Sequence, residues 1–216
     1  MSVLGWRNLV RSGGEEMGGR RDWGFKQVSD AHSLCLLFTV KSWSRPGQPW
    51  CEVQGSVDKE PFLQSDSDSQ AIKPLGPLGK KVNATRTGEE LTPMLKEVGQ
   101  ELRMILFGKL EETEIRRKCG TGHPTLEAKV LCQCEAEQCT GAFWEFSING
   151  QKSFLFDTMN RNWTVINPGA NRIKEKWEKD RELTEYFRKI STGDCNHWLR
   201  KFLEQWKMML EVTGGN

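Results

Sequence analysis

Cysteine and histidine are the residues of this sequence whose side chains could carry out chemistry. The chain has seven cysteines and three histidines in 216 residues. A thiolate can attack a substrate or bind a metal ion, and two thiols can form a disulfide bond, so the spacing must decide between these uses. An odd number leaves at least one cysteine unpaired or intermolecular. The cysteines are Cys35, Cys51, Cys119, Cys132, Cys134, Cys139 and Cys195.

The spacing does not favour a catalytic cysteine and histidine pair. His197 follows Cys195 by two positions in a predicted helix, where the two side chains point in different directions. A nucleophile and its base therefore cannot form a hydrogen bond locally, and His32 beside Cys35 is interpreted as incidental. The segment 76–81 lacks the spacing of a phosphate-binding loop. We predict that the chain is not an enzyme and needs no cofactor.

A zinc site is the alternative use of the thiols. Its ligands would be Cys132, Cys134, Cys139 and His123. The C-x-C-x4-C spacing does not match the common zinc fingers or ribbons, and Gln133 does not indicate the turn that such ligands need. We therefore favour disulfide bonds over a metal.

Composition excludes two classes of partner. The 31 Lys and Arg residues nearly balance the 29 Asp and Glu residues, leaving a net charge of +2, so no strong attraction to nucleic acid or an anionic membrane is expected. The longest apolar stretch, 34–40, is too short to span a bilayer. With 9 Trp and 10 Phe, the chain can build a substantial core.

The two ends of the chain differ from its middle. Residues 1–30 are charged and glycine-rich without the apolar region of a signal peptide, so they are predicted to be a disordered or atypical N-terminal segment. Residues 31–212 are predicted to fold, and 213–216 to form a tail. Two sequons, at Asn83 and Asn162, favour an extracellular, glycosylated protein.

Hydrophobic periodicity predicts the same order of elements twice. In the first half, strands at 34–40 and 50–58 and shorter apolar pieces precede a helix through Leu91 to Leu106, with capping-box spacing at Thr87 and Glu90. In the second half, strands at 125–138, 143–148, 153–157 and 163–166 precede helices at 171–190 and 195–211, separated by a break at 191–194. Two such halves can join edge to edge into one sheet that carries the helices on one face.

This arrangement limits how the cysteines can pair. Cys132 and Cys134 share one strand face and should not pair with each other. Cys195 begins the apolar stripe of the last helix, so a bridge from it to one of these two would fix the helix to the sheet. Cys35 and Cys51 lie on adjacent predicted strands.

Six stretches of the sequence together resemble one known family. The stretches are HSLCLLFTV at 32–40, RPGQPWCEVQG at 45–55, PLGKKVNAT at 77–85, WTVINPGA at 163–170, IKEKWEKD at 173–180 and GDCNHWL at 193–199. In them the chain is similar to the UL-sixteen-binding-protein or retinoic-acid-early-transcript family, MHC class I-like ligands of the activating natural-killer group-two member-D receptor, and particularly to its transmembrane branch. The similarity extends over residues 32 to about 211.

The resemblance implies an α+β fold: an alpha-1/alpha-2 platform whose eight-stranded antiparallel sheet carries two long helices. It implies no beta-2-microglobulin, no peptide in the groove, and bridges from Cys35 to Cys51 and from Cys132 to Cys195. It also implies display at the cell surface. Because the sequence shows neither a signal peptide nor an anchor, we expect a secreted form or an incomplete product as the alternative.

The resemblance further implies a function, that of a ligand for the homodimeric receptor on NK and T cells, marking stressed or infected cells for killing. The receptor would dock across both helices, with Tyr186 as an exposed aromatic anchor and Phe187 in the core. Two alternatives remain: a charged helix that is merely solvated, and a platform that binds a lipid or small ligand between its helices. The implied contact residues are Met94, Glu97, Val98, Glu101, Asp180, Arg181, Leu183, Glu185 and Tyr186.

Overall fold

One antiparallel sheet of eight strands forms the floor of the molecule. The computed structural model describes residues 31–69, 71–110, 123–135 and 138–213, so the predictions for residues 1–30, Cys119 and residues 214–216 lie outside the described residues. The strands are β1 (Ala31–Lys41), β2 (Cys51–Val57), β3 (Glu60–Asp66), β4 (Ile72–Pro74), β5 (Thr125–Glu135), β6 (Gln138–Ile148), β7 (Gln151–Asp157) and β8 (Asn162–Val165). Their order in the sheet is β4-β3-β2-β1-β5-β6-β7-β8, which confirms the predicted joining of two four-stranded halves.

The helices follow the strands within each half, as the periodicity predicts. The helices are α1 (Gly76–Asn83), α2 (Arg86–Ile105), α3 (Asn171–Lys179), α4 (Arg181–Lys189) and α5 (Cys195–Thr213). In the first half, α1 and α2 are followed by a π-helical turn at Leu106–Leu110. In the second half, a 3-10 turn at Pro168–Ala170 leads into α3 and α4, and a π-helical turn at Ile190–Asp194 joins α4 to α5.

The core lies between this sheet and the helices. Alternate residues of the central strands β1 and β5 are buried, and their neighbours on the other face stay partly exposed. Side chains from α2, α4 and α5 cover the buried face. Seven aromatic rings crowd the core of the second half: Trp144, Phe146, Phe154, Phe156, Trp163, Trp177 and Phe187.

The interruption of the second long helix is not where the sequence predicts it. Residues 190–194 continue the helical path as a π-helical turn, whereas the chain becomes extended at Asp180, with φ −86° and ψ 99°. The Asp180 carboxylate accepts a hydrogen bond from the Leu183 backbone N–H at 3.0 Å. Asp180 therefore ends α3 and caps the N-terminus of α4.

The Pro and Gly residues of 74–79 are typical of a break, yet Gly76–Asn83 forms helix α1. Pro77 lies in the first turn of α1, where a missing N–H is tolerated. Gly79 is buried where α1 crosses β3, and a Cβ atom there would collide with the Phe62 carbonyl oxygen. The segment is therefore helical because glycine permits this close approach.

The predicted capping box at the start of the first long helix is wrong. The N-cap of helix α2 is Thr85, two residues before the predicted Thr87, and the helix begins at Arg86. The Thr87 hydroxyl accepts a hydrogen bond from Gln205 Nε2 at 2.8 Å, and Glu90 contacts Lys201 Nζ at 2.7 Å. Both side chains thus tie α2 to α5 instead of capping it.

One disulfide bond joins the sheet to the last helix. Cys132 on β5 is bonded to Cys195, the first residue of α5, with their Cα atoms 6.1 Å apart. Of the two partners that spacing left open for Cys195, the structure contains the one that the resemblance implies. Both cysteines are buried, so this bridge lies within the core.

A second disulfide bond replaces the possible zinc site. Cys134 and Cys139 lie opposite each other on β5 and β6 and are bonded, with their Cα atoms 3.8 Å apart. With Cys132 also in a bridge, the three proposed cysteine ligands have no free thiolate. The fourth candidate, His123, is exposed and stacks on Trp43. The geometry therefore does not support the zinc alternative.

The implied bridge from Cys35 to Cys51 is wrong. Cys35 lies opposite Ser56 and Cys51 lies opposite Val40, so the two cysteines are five positions apart along the ladder, about 17 Å. They also lie on opposite faces, because Cys51 is buried under α2 whereas Cys35 is on the face away from the helices. Burial raises the pKa of the free Cys51 thiol to about 12.

We predict that substitutions at Cys51 and at Gly99 of α2 change the free energy of unfolding non-additively, because the two residues lie against each other. A Cβ atom at residue 99 would lie 2.9 Å from Cys51 Sγ but 3.9 Å from Cys51 Cβ. Gly99→Ala alone should therefore lower the free energy of unfolding by about 1–3 kcal/mol. In a Cys51→Ala background the same change should raise it by up to about 1 kcal/mol, because alanine favours the helix. Urea unfolding of the four variants measures the coupling, and equal effects of Gly99→Ala in both backgrounds would contradict it.

Candidate functional site

The predicted contact residues lie on α2, on α4 and at the break between α3 and α4. On α2, Glu97 and Glu101 are exposed and Met94 is partly buried against the core. Val98 is only 1% exposed, because it lies on the helix face that covers the sheet. The structure therefore keeps three of these four residues at the surface, and Val98 as a contact residue is wrong.

The residues predicted on the second-half helices divide in the same way. Arg181 and Glu185 are exposed, and Asp180 is partly exposed at the break between α3 and α4. Leu183 is 5% exposed and belongs to the core, so its prediction as a contact residue is also wrong. In both helices the error has one cause: a position next to surface residues in sequence faces the sheet in a helix.

Glu185 is the centre of a small ion-pair network on α4. Its carboxylate lies 2.9 Å from Arg188 of the same helix and 3.4 Å from Arg161, which precedes β8. The hydrogen bond from Arg188 lowers the pKa of Glu185, and the charges of Arg188 and Arg161 add to this effect. Glu185 therefore stays ionised and oriented at the surface.

Tyr186 differs from the exposed anchor that the sequence predicts. It is partly buried, its ring lies 5.9 Å from that of the buried Phe187, and its hydroxyl is enclosed without a hydrogen-bond partner among the described residues. Burial raises the pKa of Tyr186, and the carboxylates of Glu101, Glu97 and Asp194 raise it further. The phenol hydroxyl is therefore neutral and can donate a hydrogen bond, and it lies near the acidic residues of α2.

The sequence reasoning missed Asp194. Burial raises the pKa of its carboxyl group; Lys189 and His197 oppose this rise, and Glu97 reinforces it. Asp194 thus joins Glu97 and Glu101 in an acidic strip between the two long helical regions. The sequence distinguished Asp194 only by its position in the 191–194 break, which we interpreted as a connection between two helices and not as part of a binding surface.

A shallow hollow beside Tyr186 was also missed. It opens on α4 and the π-helical turn that follows, where Gly193 leaves the backbone uncovered. The sequence pattern marks these positions as an exposed charged face and gives no sign that they are concave. The lining residues are Glu182, Glu185, Tyr186, Arg188, Lys189, Thr192 and Gly193.

Side chains close the space between α2 and α5. Lys201 contacts Glu90 at 2.7 Å and Gln205 donates to Thr87. Where α5 packs on the sheet, the ring of Phe202 lies 4.7 Å from that of Phe62 on β3. Beneath α2 there is a cavity of about 50 Å³, which suits one or two water molecules and not a lipid chain. The filled core does not favour the lipid-binding alternative.

Comparison with known proteins identifies the family. The sequence profile described as "Class I Histocompatibility antigen, NKG2D ligand, domains 1 and 2" matches residues 30–209. The chain belongs to this family. The predicted MHC class I-like platform, with its sheet and overlying helices, is therefore confirmed by both sequence and structure.

Three relatives illustrate the range of similarity. Human retinoic acid early transcript 1E is 57% identical over 183 residues, which cover 84% of this chain and 67% of that protein. Human UL16-binding protein 1 is 44% identical over 184 residues, covering 85% and 74%. The mouse MHC class I-like protein MILL2 is 27% identical over 193 residues, covering 88% and 53%.

Two further features bear on how this family member is displayed. The sequon residues Asn83, at the end of α1, and Asn162, in β8, are both exposed, so a glycan on either would point away from the core. Asn162 Nδ2 donates a hydrogen bond to Thr164 Oγ1 at 3.3 Å. Among the described helices, none is both long and apolar enough to cross a bilayer.

Proposed function

We propose that this chain is a non-enzymatic ligand of the homodimeric activating NKG2D receptor on NK and T cells. The observation that carries the proposal is the family match across the whole described platform. Binding would bring receptors together on the lymphocyte and mark a stressed or infected cell for killing. The chain would contribute a binding surface and no chemistry.

The closed space between the helices supports a platform that works without peptide. The contacts of α5 with α2 use side chains of the chain itself, including Lys201, Glu90 and Gln205. The bridge from Cys132 to Cys195 fixes α5 to the sheet independently of any other subunit. We therefore include in the proposal that neither peptide nor beta-2-microglobulin is required.

The exposed contact residues suggest how the receptor would be recognised. Glu97 and Glu101 on α2 and the nearby Asp194 form the acidic strip, and Glu185 lies on α4. Cationic and hydrogen-bonding side chains of the receptor would complement this surface, while Met94 and Tyr186 would supply apolar contact. Arg181 and Asp180 would lie at the edge of the contact.

Surface-plasmon resonance of the refolded chain with the purified receptor homodimer tests the proposal. We expect saturable binding, and we expect Glu97→Lys with Glu101→Lys to weaken it at least about ten-fold because both reverse charge in the acidic strip. Glu60→Lys, an exposed reversal at the start of β3, is the matched control and should change little. An absence of saturable binding by the unchanged chain would refute the function, and equal effects of both reversals would refute the assigned surface.

The proposal also places the protein outside the cell, with glycans on Asn83 and Asn162. Both side chains are accessible for the modification. Intact mass before and after removal of N-glycans from the secreted protein would count them. A mass that does not change would contradict this part of the proposal.

A further inference from the structure

The sheet face that points away from the helices carries partly exposed apolar side chains on its central strands. We call this set the open-face patch. Its members alternate with the buried residues of each strand, so they share one face. The patch consists of Cys35 and Leu37 on β1, Leu131 on β5, Phe143 on β6 and Leu155 on β7.

Two charged residues lie within the open-face patch. Lys129 on β5 and Glu145 on β6 lie directly opposite each other in the ladder. Burial raises the pKa of the nearby Cys35 thiol; the charge of Lys129 and a hydrogen bond with Ser56 lower it, and the charge of Glu145 raises it. Glu145 also contacts Lys152 of its own chain at 3.0 Å. The charges therefore lie beside the apolar side chains, on the same face.

The strand register arranges the patch in rows that run across four strands. The first row contains an apolar residue, a cation, an anion and an apolar residue in that order, so its two halves match in kind and are opposite in charge. The next row has two apolar side chains at its centre, one from β5 and one from β6. The first row is Leu37, Lys129, Glu145 and Leu155, and the second is Cys35, Leu131, Phe143 and Asp157.

These rows are complementary to themselves under a half-turn. Consider an axis parallel to the strands that runs between β5 and β6, with a second copy packed face to face. The rotation places Lys129 of each copy against Glu145 of the other, and Leu131 against Phe143. It also places Leu37 against Leu155. Such reciprocal pairing is the requirement of a two-fold interface, and the aligned strands match a known mode of sheet packing.

The size of the sheet is sufficient for such an interface. The six strands with at least seven residues, each roughly 4.8 Å wide, give a width of about 29 Å, and seven residues give a length of about 23 Å. This part of the open face therefore has an area of roughly 670 Å² per copy, or about 1,300 Å² for two copies, within the ~1,200–2,000 Å² of a standard protein interface.

We infer that the open-face patch binds a second copy of this chain through this two-fold arrangement. The helices of the two copies would point in opposite directions, so both helix surfaces would stay free. The inference goes beyond the proposed function and does not depend on it, since the surface proposed for the receptor lies on the helices and not on this face.

Sedimentation velocity of the full chain over a range of concentrations tests the inference. We expect a reversible monomer and dimer equilibrium. Lys129→Glu alone and Glu145→Lys alone should each raise the dimer dissociation constant at least about ten-fold, since each replaces two attractive contacts by repulsive ones. The variant with both changes should return to within about three-fold of the original value, because the reciprocal pairing is restored.

Two controls make the outcome decisive. Glu97→Lys, on the helix surface, should leave the dissociation constant unchanged. Alkylation of Cys35, followed by peptide mass analysis, should slow as the dimer forms. A chain that stays monomeric at all concentrations overturns the inference. A dimer whose dissociation constant is unchanged by either single charge reversal overturns it too. Cys35 protected equally at every dilution would show that another part of the chain covers the patch, and would also overturn it.

Discussion

Removal of the bridge between Cys132 and Cys195 is expected to lower the free energy of unfolding by about 4 kcal/mol. The two cysteines are 63 residues apart, and closing a loop of that length removes much of the conformational entropy of the unfolded chain. Cys132→Ala with Cys195→Ala avoids leaving a lone thiol. Chemical denaturation without reductant gives the value.

The second bridge provides a matched control within the same chain. Cys134 and Cys139 are only five residues apart, so the same relation gives about 2 kcal/mol for Cys134→Ala with Cys139→Ala. Both double variants remove two buried or partly buried sulfur atoms. A loss for the long loop that is no larger than for the short one would contradict the role assigned to the bridge between β5 and α5.

Phe187→Ala is expected to lower the free energy of unfolding by about 3–5 kcal/mol. The Phe187 ring is fully buried, and its centroid lies 4.9 Å from that of Trp144 and 5.0 Å from that of Phe146. The cavity left by alanine would remove these contacts. Thermal or urea unfolding followed by circular dichroism measures the loss.

A substitution at the adjacent Tyr186 is expected to affect stability much less than Phe187→Ala. Its enclosed hydroxyl has no partner among the described residues, so Tyr186→Phe removes a desolvated polar group while keeping the ring. We expect this variant to be unchanged or more stable by up to about 1 kcal/mol. A loss above about 1 kcal/mol in Tyr186→Phe would show that the hydroxyl forms a stabilising hydrogen bond in solution.

The strands were predictable because burial alternates along them. The residues of 34–40 and 125–135 follow a two-residue period, and the Asn149-Gly150 turn has the positive φ values, 51° and 75°, that its sequence predicts. Local chemistry decides these features. The eight-stranded sheet follows once two such halves join.

The cysteine pairing shows where the resemblance misled. Leu34 and Leu36 are buried, so Cys35 between them must lie on the other face, whereas Cys51 shares the buried face with Val53. The residues thus already opposed the bridge that the resemblance implied. For predicting a disulfide bond, the sheet face on which each thiol lies is a stronger criterion than a position on adjacent strands.

Other features depend on contacts that no local pattern contains. Helix α1 forms because Gly79 fits against β3, and Thr87 and Glu90 bind residues of α5 more than a hundred positions away. Similarly, Val98 and Leu183 could be assigned to the core only after the rotation of each helix over the sheet was known. The acidic strip joins residues of two halves, so it emerges only from the tertiary structure.

The unequal distribution of aromatic rings gives the two halves different optical properties. Trp144, Trp163 and Trp177 lie in an apolar, ring-rich surrounding that shifts indole emission to shorter wavelengths, whereas Trp43 is 51% exposed to water. Short-wavelength fluorescence would therefore report on the second half of the chain, including the buried Trp198 of α5, and long-wavelength emission on the exposed Trp43. The molecule thus carries an internal spectroscopic probe of whether its halves unfold together.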